Sequence, residues 1–189
     1  MNQKVFLITP LAFFLLLLVA CGGKKTNQET MGKERAFQSK TDTIEMQSSL
    51  SKGNVLFKGN EYRYEIERIA CDSLPMVKDE EGNVFVDNRV RLTITRNGNR
   101  PLISKVFTKK TFMNDVPSKF MKEAILEGFV FYEERTSDED GIVFAASVCI
   151  PQTDLFYPLI VRVSSDGGIR VEPDNIMMEI MDGVIEELV

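Results

Sequence analysis

Carboxylates are the side chains best placed to do chemistry in this sequence, because much of the alternative machinery is missing. The 189 residues include no histidine. That removes Ser-His-Asp and Cys-His catalysis, imidazole acid–base work and zinc sites with imidazole ligands. There is no Gly-x-x-x-x-Gly-Lys loop and no Gly-x-Gly-x-x-Gly turn to cradle phosphates. Two acidic runs remain, Asp79-Glu80-Glu81-Gly82 and Asp138-Glu139-Asp140-Gly141. Each offers hard oxygen ligands of the kind calcium takes, but neither has the alternating acids and twelfth-position glutamate of an EF-hand loop. Both fall where turns are expected, and an acidic turn is most simply a solvated one. A pair of carboxylates at the right separation would also serve glycoside hydrolysis. No catalytic residue, metal ligand or cofactor is assigned from these runs.

Thiols are the second resource. Of the three cysteines, Cys71 and Cys149 lie in the body of the chain. Their pairing would close a loop of about 79 residues and contribute about 4 kcal/mol. The competing reading is two thiols acting as small apolar side chains. A third feature is the loop Pro151-Gln152-Thr153-Asp154-Leu155-Phe156-Tyr157-Pro158. Gln152, Thr153, Asp154 and Tyr157 are its candidate ligand or partner contacts; the competing reading folds its aromatics down over a sheet edge. Without tryptophan, a sugar-binding platform would have to rest on tyrosine.

Cys21 stands in a different setting. Val5 to Ala20 is apolar apart from Thr9 and Pro10, and as a helix would reach about 24 Å, short of a bilayer core about 30 Å thick. A basic start, a short apolar core and small residues at its end make a secretory signal. Leu18-Val19-Ala20-Cys21 resembles the bacterial lipobox, in which the thiol accepts a diacylglycerol and the chain is cut before the cysteine. Residues 1–20 are therefore expected to be a signal peptide and Cys21 the lipidation site, holding the chain to the membrane through its acyl chains. Gly22, with no aspartate at that position, favours the outer membrane; Lys24 and Lys25, in place of an acidic run, favour its periplasmic face.

The net charge of −5 argues against nucleic acid, which requires a basic face. Residues 21–53 are polar and read as a flexible tether, with a transient helix near 41–50. From residue 54 to 189 a single β-rich domain is expected. Tyr62, Tyr64 and Ile66 alternate with Arg63, Glu65 and Glu67, and Val90, Leu92 and Ile94 with Arg91, Thr93 and Thr95, which marks half-buried strands. Asn97-Gly98 signals a hairpin leading to a strand at Leu102–Thr108. Pro117–Glu127 reads as a short helix capped by Gly128. Strands follow at Phe129–Glu134, Ile142–Val148, Leu159–Ser164 and Ile169–Glu172. From about 175, Ile176, Met177, Ile180, Met181, Val184, Ile185 and Leu188 share one side of an amphipathic helix. The expected fold is mainly β (α+β), an antiparallel sheet curled into a sandwich or partial barrel, with one short internal helix and the C-terminal helix.

Three stretches, "DSLPMVKDEEGNVFVDNRVRLTI", "ILEGFVF" and "FAASVCIPQTDLFYPLIVRVS", resemble a family of Bacteroidales lipoproteins catalogued as a domain of unknown function. The resemblance covers about Val55 to Glu172. It implies no activity, cofactor or partner, and agrees with an envelope location. The expectation is a lipid-anchored, non-catalytic binding or assembly module whose protein or glycan partner is unnamed; the alternative is a carboxylate-based envelope hydrolase.

Overall fold

The structure is a computed structural model that describes residues 43–98, 100–137 and 141–187. The expected signal peptide, Cys21, the tether up to residue 42 and Asp138-Glu139-Asp140 lie outside the described residues. The elements run β1 (Thr43–Ile44), β2 (Ser49–Phe57), β3 (Asn60–Ala70), β4 (Val77–Lys78), β5 (Val84–Phe85), β6 (Asn88–Arg96), β7 (Arg100–Thr108), α1 (Ser118–Glu123), β8 (Ile125–Phe131), β9 (Ile142–Cys149), β10 (Phe156–Val163), β11 (Ile169–Pro173) and α2 (Asn175–Glu187). They build two four-stranded antiparallel sheets, ordered β2-β3-β6-β7 and β11-β10-β9-β8, and a small sheet ordered β1-β5-β4. The chain is mainly β, and its two large sheets form a sandwich rather than a closed barrel.

Alternation sets the packing. Val90, Leu92 and Ile94 are fully buried while Arg89 and Arg91 face solvent, so β6 turns one side inward, as its period of two requires. From the facing sheet come Phe129, Ile142, Phe144, Val148, Leu159 and Val161, and both sets join one core. Aromatic rings bridge the layers: Phe107 meets Phe129 at 5.0 Å and Tyr64 stacks on Phe131 at 4.8 Å. Burying each such side chain contributes about 1.5–3 kcal/mol. Val143 and Ile160 point away from this core yet are also buried. α2 packs along β10 on that outer side, so the second sheet is covered on both faces there.

Turns fix the register. Asn97 and Gly98 take φ of 48° and 91°, the positive values that Asn and Gly tolerate. The Asn97 side chain accepts from the Glu61 N–H at 3.1 Å and donates to Asn60 Oδ1 at 3.0 Å, tying two hairpin ends together.

Three expectations change. Residues 43–44 and 49–53, expected as tether or transient helix, are strands, and β2 runs on into the expected domain as far as Phe57. Their polar character is real, since most of β2 is exposed, but pairing with β3 along its whole length decides the backbone. α1 is only six residues long, and Gly128 sits in β8 beside a bulge instead of capping a helix. Ala124 is already extended, because the backbone that follows is claimed by β9 and by side chains of the first sheet. The next strand ends at Phe131, and Glu133–Arg135 forms a 3₁₀ turn.

α2 appears where amphipathic spacing placed it. Asp174 accepts from the Met177 N–H at 3.2 Å and is held by Arg135 at the same distance. Met177, Met178 and Met181 are half-buried, whereas Ile176 and Ile180 are exposed. No helix among the described residues is long and apolar enough to cross a membrane.

Candidate functional site

The acidic turn and the Pro151–Pro158 loop, some seventy residues apart, form opposite walls of one cleft. Its volume is about 580 Å³, within the range of small-molecule sites. β4 and the turn residues Asp79, Glu80 and Glu81 that lead toward β5 make the first wall. Asp79 organises the turn: its Oδ1 accepts from the Asn83 N–H and its Oδ2 from the Asn83 amide, both at 2.7 Å. Those bonds hold the Asp79 carboxyl below the usual carboxylate range. Glu80 and Glu81 are left projecting from the tip, exposed. Beneath them Val77 and Phe85 pack with Ile125 and Met46 in a small satellite core, which fixes the hairpin to the start of β8.

The second wall is a tight loop between β9 and β10. Thr153 donates its hydroxyl to the Ile150 carbonyl at 2.8 Å and accepts from the Leu155 N–H at 3.1 Å. Ile150 and Leu155 close the loop through a backbone bond of 2.9 Å. Gln152 has φ of 60°, a left-handed conformation that costs energy for a residue with a side chain. Glu123, the last residue of α1, supplies another carboxylate to the lining, and Lys78 a single cation. Asp79, Glu80, Glu81 and Glu123 therefore face one another's surroundings with one positive neighbour.

Gln152 and Thr153 line this cleft. Asp154 is exposed and is not part of the lining. Tyr157 lies in β10, half-buried, with its ring 6.2 Å from Phe120 and packed on the main core; it belongs to the sheet, not to the loop. Cys71 and Cys149 are separate thiols. Cys71 contacts the Ser73 hydroxyl at 3.2 Å. Cys149 donates to Ser147 at 3.4 Å, and burial pushes its thiol up to about 11, so it stays protonated and unreactive at neutral pH. Among the described residues no three acidic or thiol side chains gather closely enough to hold a metal ion. Both oxygens of Asp79 are already committed to Asn83.

A second charged cluster escaped the sequence reading. Asp87 is 2% exposed. Its Oδ1 accepts from the N–H groups of Asn88 and Leu126, each at 2.8 Å, and its Oδ2 faces Lys109 Nζ at 3.8 Å. Lys109 donates to the Ala124 carbonyl, Asn88 to the Leu126 carbonyl at 2.8 Å, and Arg68 to the Glu127 carbonyl at 2.6 Å. Burial pushes the Asp87 carboxyl up against the pull of these partners, and pushes Lys109 down. The cluster does not line the cleft. It is a polar clamp that gives the opening of β8 the partners its backbone requires. The one sequence signal was a charge inside the apolar run Val84-Phe85-Val86-Asp87-Asn88.

A sequence profile for a domain of unknown function, DUF4738, matches residues 25–171. The chain belongs to this family. The matched span covers both walls of the cleft and the clamp, and stops before α2. No curated protein matches the sequence.

Proposed function

We propose that this DUF4738 protein is a non-catalytic binding module of the cell envelope, held to the membrane by lipid on Cys21, that receives a cationic group of its partner in the acidic cleft. The lipoprotein reading rests on Leu18-Val19-Ala20-Cys21 behind a short apolar run and on the resemblance to Bacteroidales lipoproteins. The outer membrane, periplasmic side, is the location it favours. One observation carries the binding reading: Asp79, Glu80, Glu81 and Glu123 line a single cleft whose other wall offers Gln152 and Thr153. A cationic side chain or amine there gains attraction from several carboxylates and donates hydrogen bonds to neutral acceptors.

Hydrolysis by paired carboxylates remains the second reading, and the geometry favours it less. A general acid needs a carboxyl held above its usual range. Asp79 is shifted the other way, and Asp87, which is shifted up, is sealed in the clamp away from the cleft.

Two measurements test the proposal. Mass spectrometry of the protein from its native host should find Cys21 acylated and residues 1–20 absent; an unacylated chain starting at residue 1 would refute the anchor. Calorimetric titration with an oligolysine peptide should show binding that weakens with salt. Combined Glu80→Gln, Glu81→Gln and Glu123→Gln should abolish it, and equal binding by that variant removes the cleft from the account.

A further inference from the structure

The two large sheets have four edges, and three are obstructed. On β8 the Leu126 peptide group is occupied by Asp87 and Asn88. β11 is five residues long and ends in Pro173. β7 carries Pro101, and the β10–β11 turn lies against it, so closely that a Cβ on Gly167 would sit 3.2 Å from the Leu102 carbonyl oxygen. β2 differs. It runs nine residues without proline, pairs with β3 on one side and with no described strand on the other. Long open edges of this kind are templates for another strand.

The peptide groups that point from this edge follow from the hairpin. Lys58 and Gly59 form a two-residue turn with positive φ, and Phe57 pairs with Asn60. Hydrogen bonding to β3 then alternates back from Phe57 through Val55, Gly53, Ser51 and Ser49. Leu50, Lys52, Asn54 and Leu56 present their N–H and C=O groups to the open edge. Their side chains share the outer face, where Leu50 and Leu56 are 57% and 76% exposed. Lys52 would normally discourage pairing, but it is already bound to Glu65 of its own sheet at 2.7 Å.

We infer that two copies of this protein join through β2, antiparallel, about a two-fold axis at Gly53. In that register Leu50 faces Leu56 of the second copy and Lys52 faces its Asn54, with the reciprocal pairs completing the set. Outward peptide groups meet outward peptide groups, and each facing pair exchanges two N–H···O bonds. The most exposed leucines of the strand cover each other. The adjacent compatible registers lack this match. Moving the axis to Lys52 sets lysine against lysine, which is destabilising. Moving it to Asn54 sets Leu56 against Lys52 and carries Leu50 past the strand to Lys58. The two first sheets thus become one continuous sheet. The inference is independent of the lipid and of the cleft.

The test uses the full chain in detergent. Under mild oxidation the double variant Leu50→Cys with Leu56→Cys should give a covalent dimer, because facing Cα atoms in a hydrogen-bonded pair lie about 5.5 Å apart, within disulfide reach. Each single variant and the unaltered chain should give none. Asn54→Pro removes an N–H that serves the open edge and not the internal ladder; sedimentation velocity should show its dimer dissociation constant raised at least about tenfold. A monomeric unaltered chain at tens of micromolar, single variants that cross-link as well as the double, or a dimer indifferent to Asn54→Pro would each overturn the inference.

Discussion

Asp79 and Asp87 each have an asparagine for a partner, and their carboxyls are displaced in opposite directions. Asp79 takes two hydrogen bonds from Asn83 at a hairpin tip and is lowered. Asp87 takes N–H donors at comparable distances from Asn88 and Leu126, has a lysine nearby, and is raised. Water makes the difference. At the tip the ionised form keeps most of its hydration and gains donors that outweigh what it loses. In the clamp the ionised form loses its hydration, and the donors only partly replace it. The first arrangement leaves charge available to a ligand at the cleft. The second commits its oxygens to holding the two sheets together, so the more perturbed group is the less functional one.

Removing the clamp should have the largest effect. Asp87→Ala strands Lys109 and the Leu126 N–H in the interior and should cost about 3–5 kcal/mol, measured by urea unfolding. A loss under about 1 kcal/mol would mean that β8 is held by β9 alone and that the contrast with the tip is empty. pH sharpens the same point. Because the folded Asp87 carboxyl is raised, its contribution is fully present below the ordinary carboxylate range and is lost as pH rises through the raised value. The stability of the unaltered chain relative to Asp87→Asn should therefore fall on going from acid toward neutral pH. Its slope can reach about 1.4 kcal/mol per pH unit. Asp79 and Asp166, both lowered, act with the opposite sign but are common to both chains and cancel. Lys109, shifted down, acts in the alkaline range. A difference that rises with pH would reverse the assignment of Asp87.

The contrast also explains what could be read in advance. The sandwich was visible because Tyr62–Ile66 and Val90–Ile94 alternate cleanly and Asn97-Gly98 marks a turn, all of it local. The start of β8 was not. Phe120, Ala124 and Ile125 have a spacing that suits a helix, and what makes 125–131 a strand is its ladder with β9 together with Leu126 meeting Asp87 and Asn88, nearly forty residues back in the chain. β2 hid for the converse reason: an exposed edge strand has little need of apolar residues, so Ser49–Gly53 looked like linker. For the cleft, both walls were legible as separate loops. Their meeting depends on how the small β1-β5-β4 sheet docks against Ile125, which no local spacing encodes. Glu123 was hidden because it was assigned to a helix interior instead of a helix end.

Smaller effects belong to the tip. Asn83→Ala removes the amide donor to Asp79 Oδ2 and keeps the residue 83 N–H on Oδ1, so the carboxyl should rise toward the ordinary range in an NMR titration; a value that does not move would credit the backbone N–H groups of residues 81–83 instead. Cys149, half-buried and shifted up, should resist alkylation at neutral pH in the folded protein and react on unfolding, as mass spectrometry of iodoacetamide-treated samples would show.

The smallest expected change in stability is the most informative about function. Converting Glu80, Glu81 and Glu123 to glutamine alters exposed side chains that make no hydrogen bond on which the fold depends. Each should shift unfolding free energy by less than about 0.5 kcal/mol, toward stability if any like-charge repulsion is relieved. Such indifference is what a site open to a partner requires, because a carboxylate sealed in the fold, as Asp87 is, lies out of a partner's reach. A combined loss above about 2 kcal/mol would place these residues with Asp87, as structural charges, and the distinction between tip and clamp would collapse.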